Sequence, residues 1–84
     1  MKEIQFLKRV FDKGLKREYY QFVVEELNDT NLEYEEKKEI LFFLTNPNLK
    51  RLKWISKDKL IFILSYLQTY FILFLEKLEN EYMR

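Results

Sequence analysis

Carboxylates are the side chains of this sequence that come closest to forming a catalytic or metal-binding set. Adjacent glutamates occur at Glu25–Glu26 and Glu35–Glu36, and Glu39 follows Glu35 at a spacing that places both on one face of a helix. Paired carboxylates can act as general acid and base, or can hold a metal pair when they occur in Glu-x-x-His motifs. Adjacent helical residues point in different directions, however, and we expect the face of Glu35 and Glu39 to be solvated.

The usual catalytic partners of carboxylates are missing. The sequence has no histidine and no cysteine, which removes the commonest general base, the thiol nucleophile, disulfides and thiolate metal sites. Neither Ser56 nor Ser65 lies in a pattern that would activate a hydroxyl, and neither a phosphate-binding glycine loop nor a calcium loop is present. We therefore predict that the protein is not an enzyme and uses no cofactor or metal.

An acidic block is the first candidate binding surface. The net charge is only +1, but residues 18–39 carry eight acidic and two basic side chains. The candidate acidic patch for a basic partner consists of Glu25, Glu26, Glu33, Glu35 and Glu36. The alternative is a solvated helix junction, because acidic residues also favour the first turn of a helix.

A basic segment around Trp54 is the second candidate. The possible nucleic-acid contacts are Lys50, Arg51, Lys53, Lys57 and Lys59. A helix-turn-helix would require residues 49–55 to form the recognition helix, which is short and lacks the Asn, Gln, Ser and Thr that often accompany base reading. The alternative is a basic linker whose lysine stems cover aromatic surface at the rim of the core.

The third candidate is the apolar stretch 60–75, where only Ser65, Gln68 and Thr69 are plainly polar. At helical spacing, one seam consists of Leu60, Leu64, Leu67, Phe71, Phe74 and Leu78. A second seam consists of Ile63, Tyr66, Tyr70 and Leu73. We expect the first seam to pack internally and the second to form a dimer or partner interface, because large exposed apolar patches usually mark interfaces. A wholly internal helix is the alternative.

Helices must position these groups. Apolar periodicity predicts helices over residues 2–13, 16–28 and 31–44, a short one over 49–55, and a long one after Ser56, its N-cap. The second helix should bury Tyr20, Val23, Val24 and Leu27, with Tyr19 and Phe22 broadening that face. Gly14 should end the first helix in a Schellman motif, and Thr30 with Glu33 fits a capping box for the third.

The fold class that follows is all-α. We expect one domain over residues 1–84, a compact bundle of four main helices and a short connecting helix, with the long hydrophobic C-terminal helix at its centre. A membrane span over 60–75 is disfavoured, because sixteen residues reach about 24 Å against a hydrocarbon thickness of roughly 30 Å. The N-terminus lacks the features of a secretory signal, so a cytoplasmic protein is expected.

Residue usage and surface character together indicate a functional class. The chain has no alanine and is rich in Phe, Tyr, Ile, Asn and Lys, which AT-rich codons encode, so a low-GC bacterium or its mobile elements are the expected source. We expect a small protein-interaction module that binds a protein partner and forms a homodimer, such as a regulator or inhibitor from a phage or mobile element. A small DNA-binding regulator using the basic segment 50–59 ranks second, and a membrane-associated protein third.

Overall fold

A computed structural model describes residues 2–82 of the chain, and side-chain surroundings for residues 2–80. It has four α-helices and one turn of 3₁₀-helix, with no strand within residues 2–82. The elements are α1 (Lys2–Asp12), α2 (Lys16–Asn28), α3 (Tyr34–Thr45), a 3₁₀ turn (Leu49–Arg51) and α4 (Lys57–Tyr82). The predicted all-α bundle is therefore confirmed.

The end of α1 is a Schellman motif, as its sequence predicts. Gly14 has a φ of +75°, its N–H donates to the Phe11 carbonyl at 3.0 Å, and the Leu15 N–H donates to the Val10 carbonyl at 3.0 Å. A β-carbon disfavours this left-handed backbone, so glycine is the suitable residue. The motif turns the chain sharply and starts α2 only a few residues later.

The buried face of α2 differs by one position from the prediction. Tyr19, Val23 and Leu27 are 1%, 0% and 2% exposed, whereas Tyr20 is 37% exposed and Val24 is half buried. The prediction that Tyr20 belongs to the buried face was therefore wrong. A spacing of four through Tyr19, Val23 and Leu27 aligns these side chains along one line of the helix, and Tyr19 fills the centre of the bundle.

The turn from α2 to α3 uses other caps than those predicted. The Thr30 hydroxyl donates to the Leu27 carbonyl at 2.7 Å, so Thr30 completes the end of α2. The N-cap of α3 is Glu33, whose backbone N–H donates to the Glu36 carboxylate at 3.2 Å. The predicted box of Thr30 and Glu33 was wrong, because the chain needs residues 30–32 to reverse direction before α3 begins at Tyr34.

The connection from α3 to α4 is mostly non-helical. The predicted helix over 49–55 was wrong beyond its first turn, since only Leu49–Arg51 form a 3₁₀ turn, which the Asn48 side chain caps by accepting from the Lys50 N–H at 3.0 Å. Ser56 is confirmed as the cap of α4, because its hydroxyl accepts from the Lys59 N–H at 3.2 Å.

α4 forms the centre of the bundle. Its residues Leu60, Leu64, Leu67 and Phe71 are at most 1% exposed, and α1 and α2 pack against it. The Phe71 ring lies 4.8 Å from that of Tyr19 in an edge-to-face arrangement. The predicted internal seam extends too far, however: Phe74 is 40% exposed and Leu78 is only half buried. At a rise of 1.5 Å per residue, α4 is about 39 Å long. Its packing continues at least as far as Phe74, whose ring lies 5.5 Å from that of Phe22 on α2, and Leu75, which packs against the core.

Candidate protein-binding surface

α4 exposes a band of large apolar side chains opposite its core-facing residues. Successive helical residues are rotated by about 100°, so positions 62, 66 and 73 point away from Leu64 and Phe71. We call this band the outer face of α4. It consists of Phe62, Tyr66, Tyr70 and Leu73, which are 74%, 43%, 45% and 53% exposed.

The outer face largely coincides with the predicted second seam. Tyr66, Tyr70 and Leu73 are exposed as expected, but Ile63 is half buried and packs against the core. Phe62 was missed, because it lies beside the polar edge of α4 rather than within the predicted seam. Its spacing of four from Tyr66 is the sequence signal that places both residues on the same side of the helix.

Two tyrosines lie side by side in this band. The ring centroids of Tyr66 and Tyr70 are 4.4 Å apart. Reduced hydration, and then the nearby Tyr70 and Glu26, raise the pKa of the Tyr66 hydroxyl above its usual value. Tyr66 presents an apolar ring with a hydroxyl that can stay hydrated, the combination that is enriched at protein interfaces.

A groove of about 430 Å³ borders the outer face, between α4 and the C-terminal end of α2. Its apolar lining includes Leu27 and Ile63, and Phe62 and Tyr66 form the side shared with the outer face. Glu26 also lines the groove. Lys59 lines the groove as well, but its charge is paired with Glu36 at 2.7 Å. The surface is therefore an apolar band with an adjoining recess and Glu26 at its edge, which suits a partner that carries an apolar side chain and a positive charge.

The residues of the predicted acidic patch do not form one continuous surface. Glu26 lines the groove beside the outer face, Glu25 lies near the basic start of α2, and Glu35 lines a different recess next to Trp54. Glu36 accepts hydrogen bonds from the Glu33 backbone and from Lys59, and these interactions lower its pKa. Of the five predicted residues, Glu26 is the one that adjoins the outer face of α4.

The basic segment has no helix-turn-helix geometry. Lys50 and Arg51 belong to the 3₁₀ turn, Lys53 lies in the non-helical connection, and Lys57 and Lys59 belong to the first turn of α4. The major groove of DNA admits an α-helix or a two-stranded β-ribbon, and residues 46–56 form neither. Lys59 is in addition engaged in a salt bridge of 2.7 Å with Glu36.

Glu39 has a structural role that its sequence does not reveal. Its carboxylate accepts hydrogen bonds from the backbone N–H groups of three consecutive residues: Lys53 at 2.6 Å, Trp54 at 2.9 Å and Ile55 at 2.8 Å. Partial burial raises the pKa of Glu39, but these three hydrogen bonds together outweigh it and hold the pKa below its usual value. The sequence pattern placed Glu39 on a solvated face and did not predict these hydrogen bonds. The contact is long-range, and helical periodicity carries no signal for it.

Length and composition alone would also allow α4 to cross a membrane. Among residues 2–82, the segment Lys57–Asn80 is the one that is long and apolar enough. Within its most apolar stretch of 18 residues, 22% of the residues are buried in the bundle. Core helices of soluble proteins pass the same test, so composition is weak evidence for a span. The Ser65 hydroxyl donates to the Glu3 carboxylate at 2.7 Å, which gives this segment a polar contact with α1.

Comparison with known proteins assigns no family to the chain. No protein-family model, curated protein or solved structure matches it. Among the side chains of residues 2–80, no group of three or more potential ligands is arranged to hold a metal ion. Among the surfaces described above, the outer face of α4 combines four exposed large apolar side chains on one helix.

Proposed function

We propose that the chain is a small non-enzymatic protein-interaction module that binds a protein partner through the outer face of α4. The observation that carries this proposal is the exposure of Phe62, Tyr66, Tyr70 and Leu73 along one side of the helix. A partner-binding regulator or inhibitor, such as those that phages and mobile elements encode, is consistent with this small size and surface.

The size of the outer face supports an interface. A buried aromatic side chain removes roughly 150–250 Å² from water, so the exposed fractions of these four residues correspond to roughly 400 Å² of apolar surface. The largest apolar patch on a typical monomer covers about 300–600 Å² and is often functional. A standard interface buries about 800 Å² per partner, so the outer face would form its centre and the adjoining groove part of its rim.

The first partner that this surface fits is a second copy of the chain, packed antiparallel along α4. A two-fold axis midway between Phe62 and Lys77 brings Tyr66 of one copy to Leu73 of the other, and Phe62 to Lys77. Each lysine then approaches the groove beside the opposite Phe62, where Glu26 offers an unlike charge and the charge of Lys59 is already paired with Glu36. A parallel arrangement would instead bring the two Glu26 side chains near each other, so the antiparallel arrangement is favoured.

Cysteine cross-linking tests both the dimer and its direction, because the natural sequence has no cysteine. A disulfide needs Cα atoms within about 7 Å. In the antiparallel dimer, Phe62→Cys mixed with Lys77→Cys should cross-link under mild oxidation. Neither variant alone should, since two copies of position 62 lie about 22 Å apart along the helix. Cross-linking of Phe62→Cys with itself would contradict this arrangement.

Sedimentation tests whether the outer face is the contact. The wild type should sediment as a dimer at micromolar concentration, and Tyr66→Glu should sediment as a monomer with unchanged helical circular dichroism. Tyr20→Glu is the matched control, because Tyr20 is exposed to a similar degree on α2. A wild type that is monomeric throughout this range would exclude the dimer. A protein other than a second copy could also be captured by the wild type. If Tyr66→Glu bound that protein with the affinity of the wild type, the outer face would be excluded as its binding site.

A further inference from the structure

A second groove lies on another side of the bundle, between α3 and the connection to α4. Its volume is about 660 Å³. We call it the Phe42–Trp54 groove, because these two aromatic side chains line it and are 61% and 63% exposed. It shares no lining residue with the groove beside the outer face of α4.

The exposure of both aromatic rings follows from well-fixed backbone positions. Phe42 lies on α3 directly before Phe43 and Leu44, which are each 2% exposed, so helical rotation directs Phe42 outward. Trp54 precedes Ile55, which is 3% exposed. The Glu39 carboxylate fixes the backbone of residues 53–55 through three hydrogen bonds. The indole of Trp54 is therefore presented to solvent from a segment that is anchored on both sides.

Positive charge surrounds these rings. The basic residues that line the groove are Lys38, Lys50, Arg51 and Lys53. Two carboxylates, Glu35 and Glu39, also line it. The Glu39 carboxylate accepts hydrogen bonds from three backbone N–H groups. Because these bonds partly neutralise its charge, it repels an incoming anion less strongly. Four cations therefore outnumber the carboxylates around two exposed aromatic faces.

We propose that the Phe42–Trp54 groove binds single-stranded nucleic acid without sequence preference. Bases stack on the rings of Phe42 and Trp54, and phosphates pair with Lys38, Lys50, Arg51 and Lys53. Aromatic platforms within a basic groove are the common means of binding single strands. The single 3₁₀ turn at Leu49–Arg51 is too short to read a duplex through its major groove. The site is also concave, and a recess can hold an unpaired base, whereas a bilayer presents a flat surface that a recess does not match.

The only tryptophan of the chain provides the measurement, because it is part of the groove. Titration with a thymidine oligonucleotide of about ten nucleotides should quench Trp54 fluorescence to saturation. Three to four phosphate contacts predict that the affinity falls by roughly 20–50-fold between 50 and 200 mM salt. The absence of quenching, an affinity that salt does not change, or equal binding to duplex DNA of the same length would overturn the proposal.

Matched variants separate stacking from charge. Phe42→Ala should weaken binding by about 5–150-fold, the range that corresponds to one lost stacking contact. Tyr20→Ala, which removes an exposed aromatic ring on α2 outside this groove, is its control. Lys50→Gln combined with Arg51→Gln should weaken binding and flatten its salt dependence, whereas Lys8→Gln combined with Lys13→Gln should not. Equal losses in variant and control would refute the site. A shift of Trp54 fluorescence with vesicles of anionic phospholipid but none with the oligonucleotide would refute it in favour of a membrane surface.

Discussion

The hydrogen bonds from residues 53–55 to Glu39 lead to a quantitative prediction for Glu39→Gln. The substitution keeps the size of the side chain but removes its charge and replaces one acceptor oxygen with a donor that faces a backbone N–H. A hydrogen bond to a charged group contributes about 1.5–3 kcal/mol to stability. Two of the three N–H groups, those of Lys53 and Trp54, are exposed enough for water to replace the carboxylate. We therefore expect a net loss of about 1–2 kcal/mol in the free energy of unfolding.

Urea denaturation followed by circular dichroism measures this loss, and thermal melting provides a second measure. For a domain of this size, about 1–2 kcal/mol corresponds to a decrease in Tm of roughly 4–16 °C. Glu35→Gln, on the same face of α3, is the control and should change stability by no more than about 0.5 kcal/mol. Equal stability of Glu39→Gln and the wild type would refute the structural role of this carboxylate.

The same contact predicts a dependence on pH. The pKa of Glu39 is lower in the folded protein than in the unfolded chain. Its stabilising contribution is therefore fully present above the unfolded pKa, which is near 4.3 for glutamate, and is lost as pH falls through the lower folded pKa. The difference in stability between the wild type and Glu39→Gln should be full at pH 7 and should diminish below about pH 4. A difference that is as large at pH 3 as at pH 7 would contradict the role of the charge.

Three further substitutions test the fold. Gly14→Ala should lower the free energy of unfolding by about 1–2 kcal/mol in urea titrations, because its φ of +75° strains a residue with a β-carbon although no atom crowds that position. Phe71→Leu should lower the free energy of unfolding by about 1–2 kcal/mol in urea denaturation, because Phe71 is buried. Phe62→Leu, at an exposed position, should lower it by less than about 0.5 kcal/mol in the same assay. Ser65→Ala should cost about 0.5–1.5 kcal/mol in thermal melts through its lost bond to Glu3, and a double-mutant cycle with Glu3→Gln should show coupling between the two.

Local rules of helix formation account for the parts of the fold that the sequence predicts well. The bounds of α2, the Schellman motif at Gly14 and the Ser56 cap all depend on residues within one turn of each other. The inward seam of α4 is also local in origin, since periodicity places Leu64 and Phe71 on one side. For the outer face of α4, the same periodicity correctly predicts exposed residues at Tyr66, Tyr70 and Leu73.

Features that depend on tertiary contacts between different helices and loops were less predictable from the sequence. Tyr19 and Tyr20 are adjacent tyrosines, and only the packing of α2 against α4 decides which of them is buried. The exposure of Phe74 depends on how much of it α2 covers. The hydrogen bonds from residues 53–55 to Glu39 join parts of the chain that are fourteen to sixteen residues apart, and they replace the helix that local propensity favoured over 49–55.

The central place of α4 also affects how the protein forms during synthesis. α1 lies against a helix that the ribosome adds only after α2 and α3, as the hydrogen bond from Ser65 to Glu3 illustrates. At about 5–20 residues per second, roughly 3–12 s pass between the synthesis of α1 and that of Phe71. During that interval Leu7, Tyr19 and Val23 have no α4 to cover them. The nascent chain therefore exposes much of its future core, so we expect chaperones that hold unfolded chains to bind it before α4 is available to cover that core.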